Sequence, residues 1–225
     1  YMTAGVVVLC LVQVLVYAKM GLPAEKITKS IKSVDRSFLK NKSFWLGAAI
    51  LFFYISTEYA IVNWLVTYFK DTGLISESLS QITASVLWIM ILAGRLTTVA
   101  LSGKVKKGSL LRMMGIGLVI FFIILVVSRS TFWIVLGIMG FGYSMAGIYP
   151  TVVSFAGHIN QKYPMCWSFM LTMASMGSIL MPTIIGKIAE MAGIVYGMSS
   201  IVAVVIIDMI FIVCLTGYMR KNNLE

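Results

Sequence analysis

The stretch KMGLPAEKITKSIKSVDRSFLKNKS, residues 19–43, decides how the rest of the chain is read. It carries seven basic side chains, Lys19, Lys26, Lys29, Lys32, Arg36, Lys40 and Lys42, between two apolar runs. A bilayer-spanning helix needs about 20 mostly apolar residues. Working outward, such runs fall at 1–18 before the stretch and at 44–69, 79–103, 110–128, 131–156, 164–188 and 193–218 after it. The pattern predicts an all-α, polytopic membrane protein with seven transmembrane helices. The chain opens at Tyr1 already inside an apolar run, with no basic region before it. It therefore reads as part of a longer polypeptide rather than as one starting with a cleaved leader.

Composition agrees. Of 225 residues, 60% are hydrophobic and 12% charged. A soluble domain has about 25% charged residues, so this chain cannot cover a water-soluble globule, and a soluble enzyme is excluded. The formal charge of +10 would suggest a nucleic-acid partner in a polar protein. Here the basic residues sit between apolar runs, which excludes that partner and points to the lipid bilayer instead.

Basic residues set the expected orientation. On the side of residues 19–43 also fall Lys104, Lys106, Lys107, Arg112, Lys162, Arg220 and Lys221, whereas Lys70 and Arg129 fall on the other. The rich side is expected to be cytoplasmic, with the N-terminus outside and the tail, 219–225, inside. Seven spans with that orientation also describe a heptahelical receptor. Against it, no Asp-Arg-Tyr triplet ends the third span and no Asn-Pro-x-x-Tyr occurs in the last.

Cys10, Cys166 and Cys214 are far apart, with no Cys-x-x-Cys or Cys/His cluster, so neither a disulfide framework nor a metal site is expected. No Gly-rich phosphate loop or nucleophile elbow is present, and no cofactor is expected. His158 reads as a solvated loop residue beside Asn160 and Lys162.

Ionisable groups at membrane depth are costly and mark cavities or partners. Glu58 lies about midway along the second span and Asp208 about midway along the last. Arg95 and Lys187 lie nearer helix ends, where long side chains can snorkel. On the second span Tyr54, Glu58, Ile61 and Leu65 share one face, and Ser56, Tyr59, Asn63 and Thr67 another. Glu58 is either a proton-titrating or substrate-binding carboxylate or a buried acid bonded to a neighbouring helix. Asp208, among aliphatic neighbours, reads as structural. Two further stripes are polar: Gln81, Ser85, Trp88, Leu92 and Arg95 on the third span, and Ser168, Thr172, Ser175, Ser178 and Pro182 on the sixth. Such stripes suit a wet cavity, although hydroxyls also join helices. Gly137, Gly140, Gly142, Gly147 and Pro150 in the fifth span, and Gly177, Pro182 and Gly186 in the sixth, allow kinks or unwound turns.

With these pieces in order, the chain resembles the C-terminal half of a major facilitator superfamily transporter of the fucose-permease-like branch. Residues 1–18 would be its sixth helix, 19–43 the basic cytoplasmic linker, and 44–218 the six-helix transport domain. The resemblance rests on FFYISTEYAIVNWLVTYF (52–69), Gly94-Arg95-Leu followed by LSGKVKKG (101–108), AGIYPTVVSFAG (146–157) and GSILMPTIIGKIAE (177–190). The loop motif departs from the family's form: the acidic residue and one of the arginines are missing from the stretch that holds Ser102 and Lys104.

The resemblance implies a secondary active transporter working by alternating access, with an N-terminal six-helix half as partner. It implies proton-coupled uptake of a small polar solute such as a sugar across the plasma membrane. Drug or amphiphile efflux and a non-transporting receptor are the alternatives. Carried onto these positions, the family's cavity helices favour Tyr54, Glu58, Asn63, Trp88, Tyr143 and Tyr149 as substrate contacts. Glu58 is the expected proton-coupling group. Gly94, Arg95, Pro150 and Pro182 are expected to serve gating or structure. Relatives that carry sugars interrupt the first helix of this domain, which would let Glu58 and Asn63 both reach a ligand.

Overall fold

The computed structural model describes residues 2–19 and 37–222, excluding the side chains of 158–162 and a few others; the basic stretch 20–36 lies outside the described residues. The helices are α1 (Met2–Lys19), α2 (Lys42–Thr72), α3 (Glu77–Leu101), α4 (Lys107–Val127), α5 (Thr131–Met145), α6 (Ile148–Lys162), α7 (Pro164–Ala192) and α8 (Ile194–Lys221). No strand occurs among the described residues. α1 forms a unit of its own, an 18-residue apolar helix whose described side chains are exposed. The second unit, Asp35–Glu225, holds the six segments long and apolar enough to cross a membrane, with α5 and α6 together making one of them.

α2 is the most buried of these segments and packs against α3, α6, α7 and α8. It starts where the Asn41 side chain accepts from Ser43 N at 3.0 Å, satisfying one of the first-turn donors that a helix leaves free. It stops at Gly73, whose φ of 62° lies in the left-handed region a side chain disfavours. Before α2, a single 3-10 turn (Ser37–Lys40) is pinned by Phe38, which is 2% exposed and packs on Phe44 and Phe169.

The two proline-bearing spans, both expected to allow kinks or unwound turns, differ. The fifth span is divided: α5 ends at Met145 and α6 begins at Ile148. Pro150 lacks the N–H that would bond the Ala146 carbonyl, so one bond of the ladder is missing where the helix divides. α6 then continues to Lys162, which makes His158 helical rather than part of a loop; its side chain lies outside the described residues. In contrast, α7 runs unbroken through Pro182. The Pro182 carbonyl accepts from Trp64 Nε1 of α2 at 3.1 Å, which ties the two helices together at this point.

The exposed faces fall into two kinds. α4 shows Met113, Ile116, Ile120, Ile123 and Val127, and α8 shows Ile206, Ile207, Ile210 and Val213, as lipid-facing helices do. The open faces of α2, α3 and α7 are mixed: they carry Tyr59, Asn63 and Thr67, then Gln81, Ser85 and Arg95, then Ser168, Thr172 and Ser175, among exposed apolar side chains such as Ile89, Leu92, Ile179 and Leu180. The α7 hydroxyls bond their own backbone: Thr172 donates to Ser168 O at 2.9 Å and Ser175 to Leu171 O at 2.9 Å. They satisfy themselves without joining α7 to a neighbouring helix.

Helices that cross a bilayer and are joined by short loops alternate in direction, so the starts of α2 and α4 and the end of α8 share one end of the bundle. That end carries Lys40, Lys42, Lys104, Lys106, Lys107, Arg220 and Lys221 and, among the described residues, no acid. The other end is balanced, with Lys70, Arg129 and Lys187 against Asp71, Glu77 and Glu190. Lys70 and Glu77 pair there at 3.4 Å.

Candidate functional site

The division of the fifth span and the close approach of α3 to α5 bring three chemistries together. Tyr54 and Glu58 are one helical turn apart on α2, and both are buried, at 1% and 9% exposure. Arg95 on α3 lies within electrostatic reach of Glu58, Tyr54 and Tyr149. It forms no ion pair with Glu58 at contact distance. The Tyr54 hydroxyl is buried beside both charges and completes a hydrogen bond of good geometry with neither.

Gly94 sets how closely α3 approaches α5 beside Arg95. A Cβ at position 94 would collide with the Tyr143 carbonyl oxygen and lie 2.7 Å from the Ala146 Cβ. Only glycine lets α3 lie directly on the backbone of α5 here. The next residue, Arg95, is then held against the cluster although its side chain remains exposed. The sequence leaves Arg95 able to snorkel. The buried carboxylate of Glu58 lies within electrostatic reach of its charge.

Aromatic rings extend the cluster across three helices. Tyr149, at the start of α6, faces Tyr54 with ring centroids 6.1 Å apart and faces Trp167 of α7 at 6.4 Å. Trp167 went unnoticed in the sequence because it lies beside, not within, the Ser168 stripe; no spacing along the chain reveals a contact between α6 and α7.

No ring contact or hydrogen bond joins the side chains of Asn63, Trp88 or Tyr143 to this cluster among the described residues. α2 is continuous across Lys42–Thr72, so the expected interruption is absent. Five residues of an ideal helix at about 100° each leave Asn63 roughly 140° around from Glu58. Asn63 is exposed, and its Nδ2 donates to Tyr59 O at 2.7 Å. Trp88 (46% exposed) and Tyr143 (37%) stand on the open surface. Ser56, expected on the face of Asn63, is fully buried against α7, where a Cβ at Gly177 would lie 2.5 Å from its Oγ. Pro150 is exposed in the first turn of α6 and Pro182 is half-buried in α7. Asp208 is fully buried within α8, and neither of its oxygens has a hydrogen-bond partner among the described residues.

A carboxylate, a guanidinium, a phenol and neighbouring aromatic rings can together hold a polyhydroxylated solute. The carboxylate accepts from hydroxyls, the guanidinium donates to them, and ring faces cover apolar C–H surfaces.

No protein-family model matches the chain. Two curated relatives from Helicobacter pylori, strains J99 and 26695, are both named "Putative glucose/galactose transporter". The first is 25% identical over 229 residues, covering 97% of this chain and 54% of the relative. The second is 25% identical over 192 residues, covering 83% and 46%. The chain thus spans about half the length of the curated relatives it matches. Among solved structures, the in meso crystal structure of the POT family transporter PepTSo superposes with a TM-score of 0.66 at 14% identity, over 80% of this chain and 37% of that one. A six-helix bundle with the arrangement of a solved transporter, and a curated relative aligned along nearly the whole chain, identify the fold as the major facilitator fold.

Proposed function

We propose that the protein containing this chain is a secondary transporter of a sugar-like solute, coupled to protons through Glu58. The observation that carries the reading is the cluster of Tyr54, Glu58, Arg95 and Tyr149, set between helices whose open faces carry polar side chains among apolar ones. Supporting it, both curated relatives carry a name that specifies glucose and galactose. Glu58 and Arg95 would bind solute hydroxyls, Tyr54 would donate a further hydrogen bond, and Tyr149 with Trp167 would flank the ring. A second six-helix half would close the open faces of α2, α3 and α7, so that the two halves rock around the solute.

The test is counterflow of radiolabelled glucose and galactose in proteoliposomes containing the full-length protein. Exchange of labelled hexose that excess unlabelled hexose suppresses is expected; binding without exchange would indicate a receptor. Purified as the 225-residue chain alone, the protein is expected to take up no more solute than empty liposomes, since half of the proposed cavity wall is absent.

The membrane proposed is the plasma membrane, with the basic end cytoplasmic and residues 19–43 forming a linker on that side. Cys10 and Cys214 are exposed and Cys166 is buried, so all three are replaced before a single cysteine is introduced at Ser30. That cysteine is expected to resist impermeant thiol reagents added to intact cells and to react once the cells are opened. Rapid labelling from outside would reverse the topology.

A further inference from the structure

Two cavities meet at Lys107, at the basic end of the bundle. One, of about 230 Å³, has Asn41, Ser43, Lys107 and Ser154 on its polar side and Phe155 and Leu215 on its apolar side. The other, of about 200 Å³, lies between Thr98, Ser102, Lys107, Thr151 and Ser154. Lys107 and Ser154 belong to both. The Lys107 ammonium sits 6.0 Å from the centre of the Phe155 ring, and no acidic side chain pairs with it among the described residues. Around the cavities stand Lys42, Lys104, Lys106 and Arg220, again with no described acid at this end.

These features select the ligand's chemistry. A lysine that lines a cavity and is opposed by no acid among the described residues repels cations and favours an anion. Hydroxyl and amide groups beside it suit an anion with several acceptor oxygens, which a phosphate provides, and lysine binds phosphate as a point charge. The Phe155 and Leu215 wall suits a less polar substituent attached to that phosphate. We propose that this cleft binds a phosphate-bearing anion, with the phosphate on Lys107 and Ser154 and its ester substituent against Phe155. The phosphate would come from a phospholipid headgroup or from a soluble compound. Because Asn41 and Ser43 belong to the start of α2, Lys107 to α4, and Ser154 to α6, occupancy would brace three helices. The site lies at one end of the bundle, lined by none of the residues around Glu58, and its existence does not depend on which solute is carried.

The test measures thermal unfolding of the full-length protein in detergent with added phosphatidylglycerol, phosphatidylcholine or inorganic phosphate. Phosphatidylglycerol is expected to raise the midpoint above that with phosphatidylcholine. Lys107→Gln is expected to weaken the half-maximal concentration for this effect at least about tenfold, roughly 1.4 kcal/mol. Lys104→Gln, which removes a charge of the same end but lines neither cavity, is expected to leave it unchanged. If inorganic phosphate gives the same Lys107-dependent rise, the ligand is a soluble phosphate; if only phosphatidylglycerol does, it is a lipid. Should Lys107→Gln fail to fold, Ser154→Val is expected to weaken the response by a similar factor while keeping every charge. A rise that is equal in parent, Lys107→Gln and Ser154→Val, or no rise with either phosphate source, overturns the proposal.

Discussion

Glu58→Gln in the full-length protein is expected to exchange hexose across the membrane yet to lose accumulation driven by a pH gradient. A one-unit gradient supplies about 1.4 kcal/mol, enough for roughly tenfold accumulation in a one-to-one symport. The substitution keeps the side chain's length and much of its hydrogen bonding but cannot ionise. Glu58 is the one acid that can serve in this way among the described residues. Asp71, Glu77 and Glu190 lie at a bundle end, and Asp208 is sealed inside α8's packing face. The groups around Glu58 are Tyr54 on its own helix, Arg95 from α3 and Tyr149 from α6. Proton uptake by Glu58 would cancel its charge beside Arg95, so the solute would meet a different pair of groups in the loaded and empty carrier. Accumulation in Glu58→Gln equal to the parent's across pH 5 to 8 would move the coupling acid out of this half. Exchange measured in the same vesicles separates lost coupling from lost binding.

Gly94→Val is expected to do more damage than most changes to the site itself. The space a Cβ would need is occupied by the Tyr143 carbonyl oxygen and the Ala146 Cβ. Neither is the end of a flexible side chain that can rotate away, so α3 must move off α5. Overpacking of this kind costs about 1–3 kcal/mol, occasionally more, which corresponds to a midpoint lowered by roughly 2–12 °C for a bundle of this size. The same displacement would carry Arg95 away from Glu58, so exchange should fall along with stability. Gly103→Ala is the control, since a Cβ there meets nothing within 4 Å. A Gly94→Val protein as stable and active as the Gly103→Ala protein would show that α3 and α5 are not held together in this way.

Helical character, the approximate spans and the concentration of positive charge at one end were legible in the sequence, because each depends on residues close together along the chain. About 20 apolar residues make a span whatever surrounds them, and a Lys-rich loop keeps its charge in any fold. Mid-membrane polar residues were legible as well: Glu58, Arg95 and the Ser168–Thr172–Ser175 stripe stand out against their apolar neighbours. What those residues touch was decided by tertiary structure. Spacing placed Ser56 with Asn63, but packing against Gly177 buries Ser56 and leaves Asn63 open. Arg95 stands out in the sequence as able to snorkel, whereas its place within electrostatic reach of Glu58, 37 positions earlier in the chain, comes from the packing of α3. The Tyr149–Trp167 contact joins two helices whose faces no periodicity relates. Likewise, Pro150 and Pro182 are equally disruptive as residues, yet only the helix around Pro150 divides. A helical pattern fixes which way a side chain points from its own axis; the rotation of each helix against its neighbours comes from the fit of small and large residues across the bundle, and that fit exists only once the helices have packed.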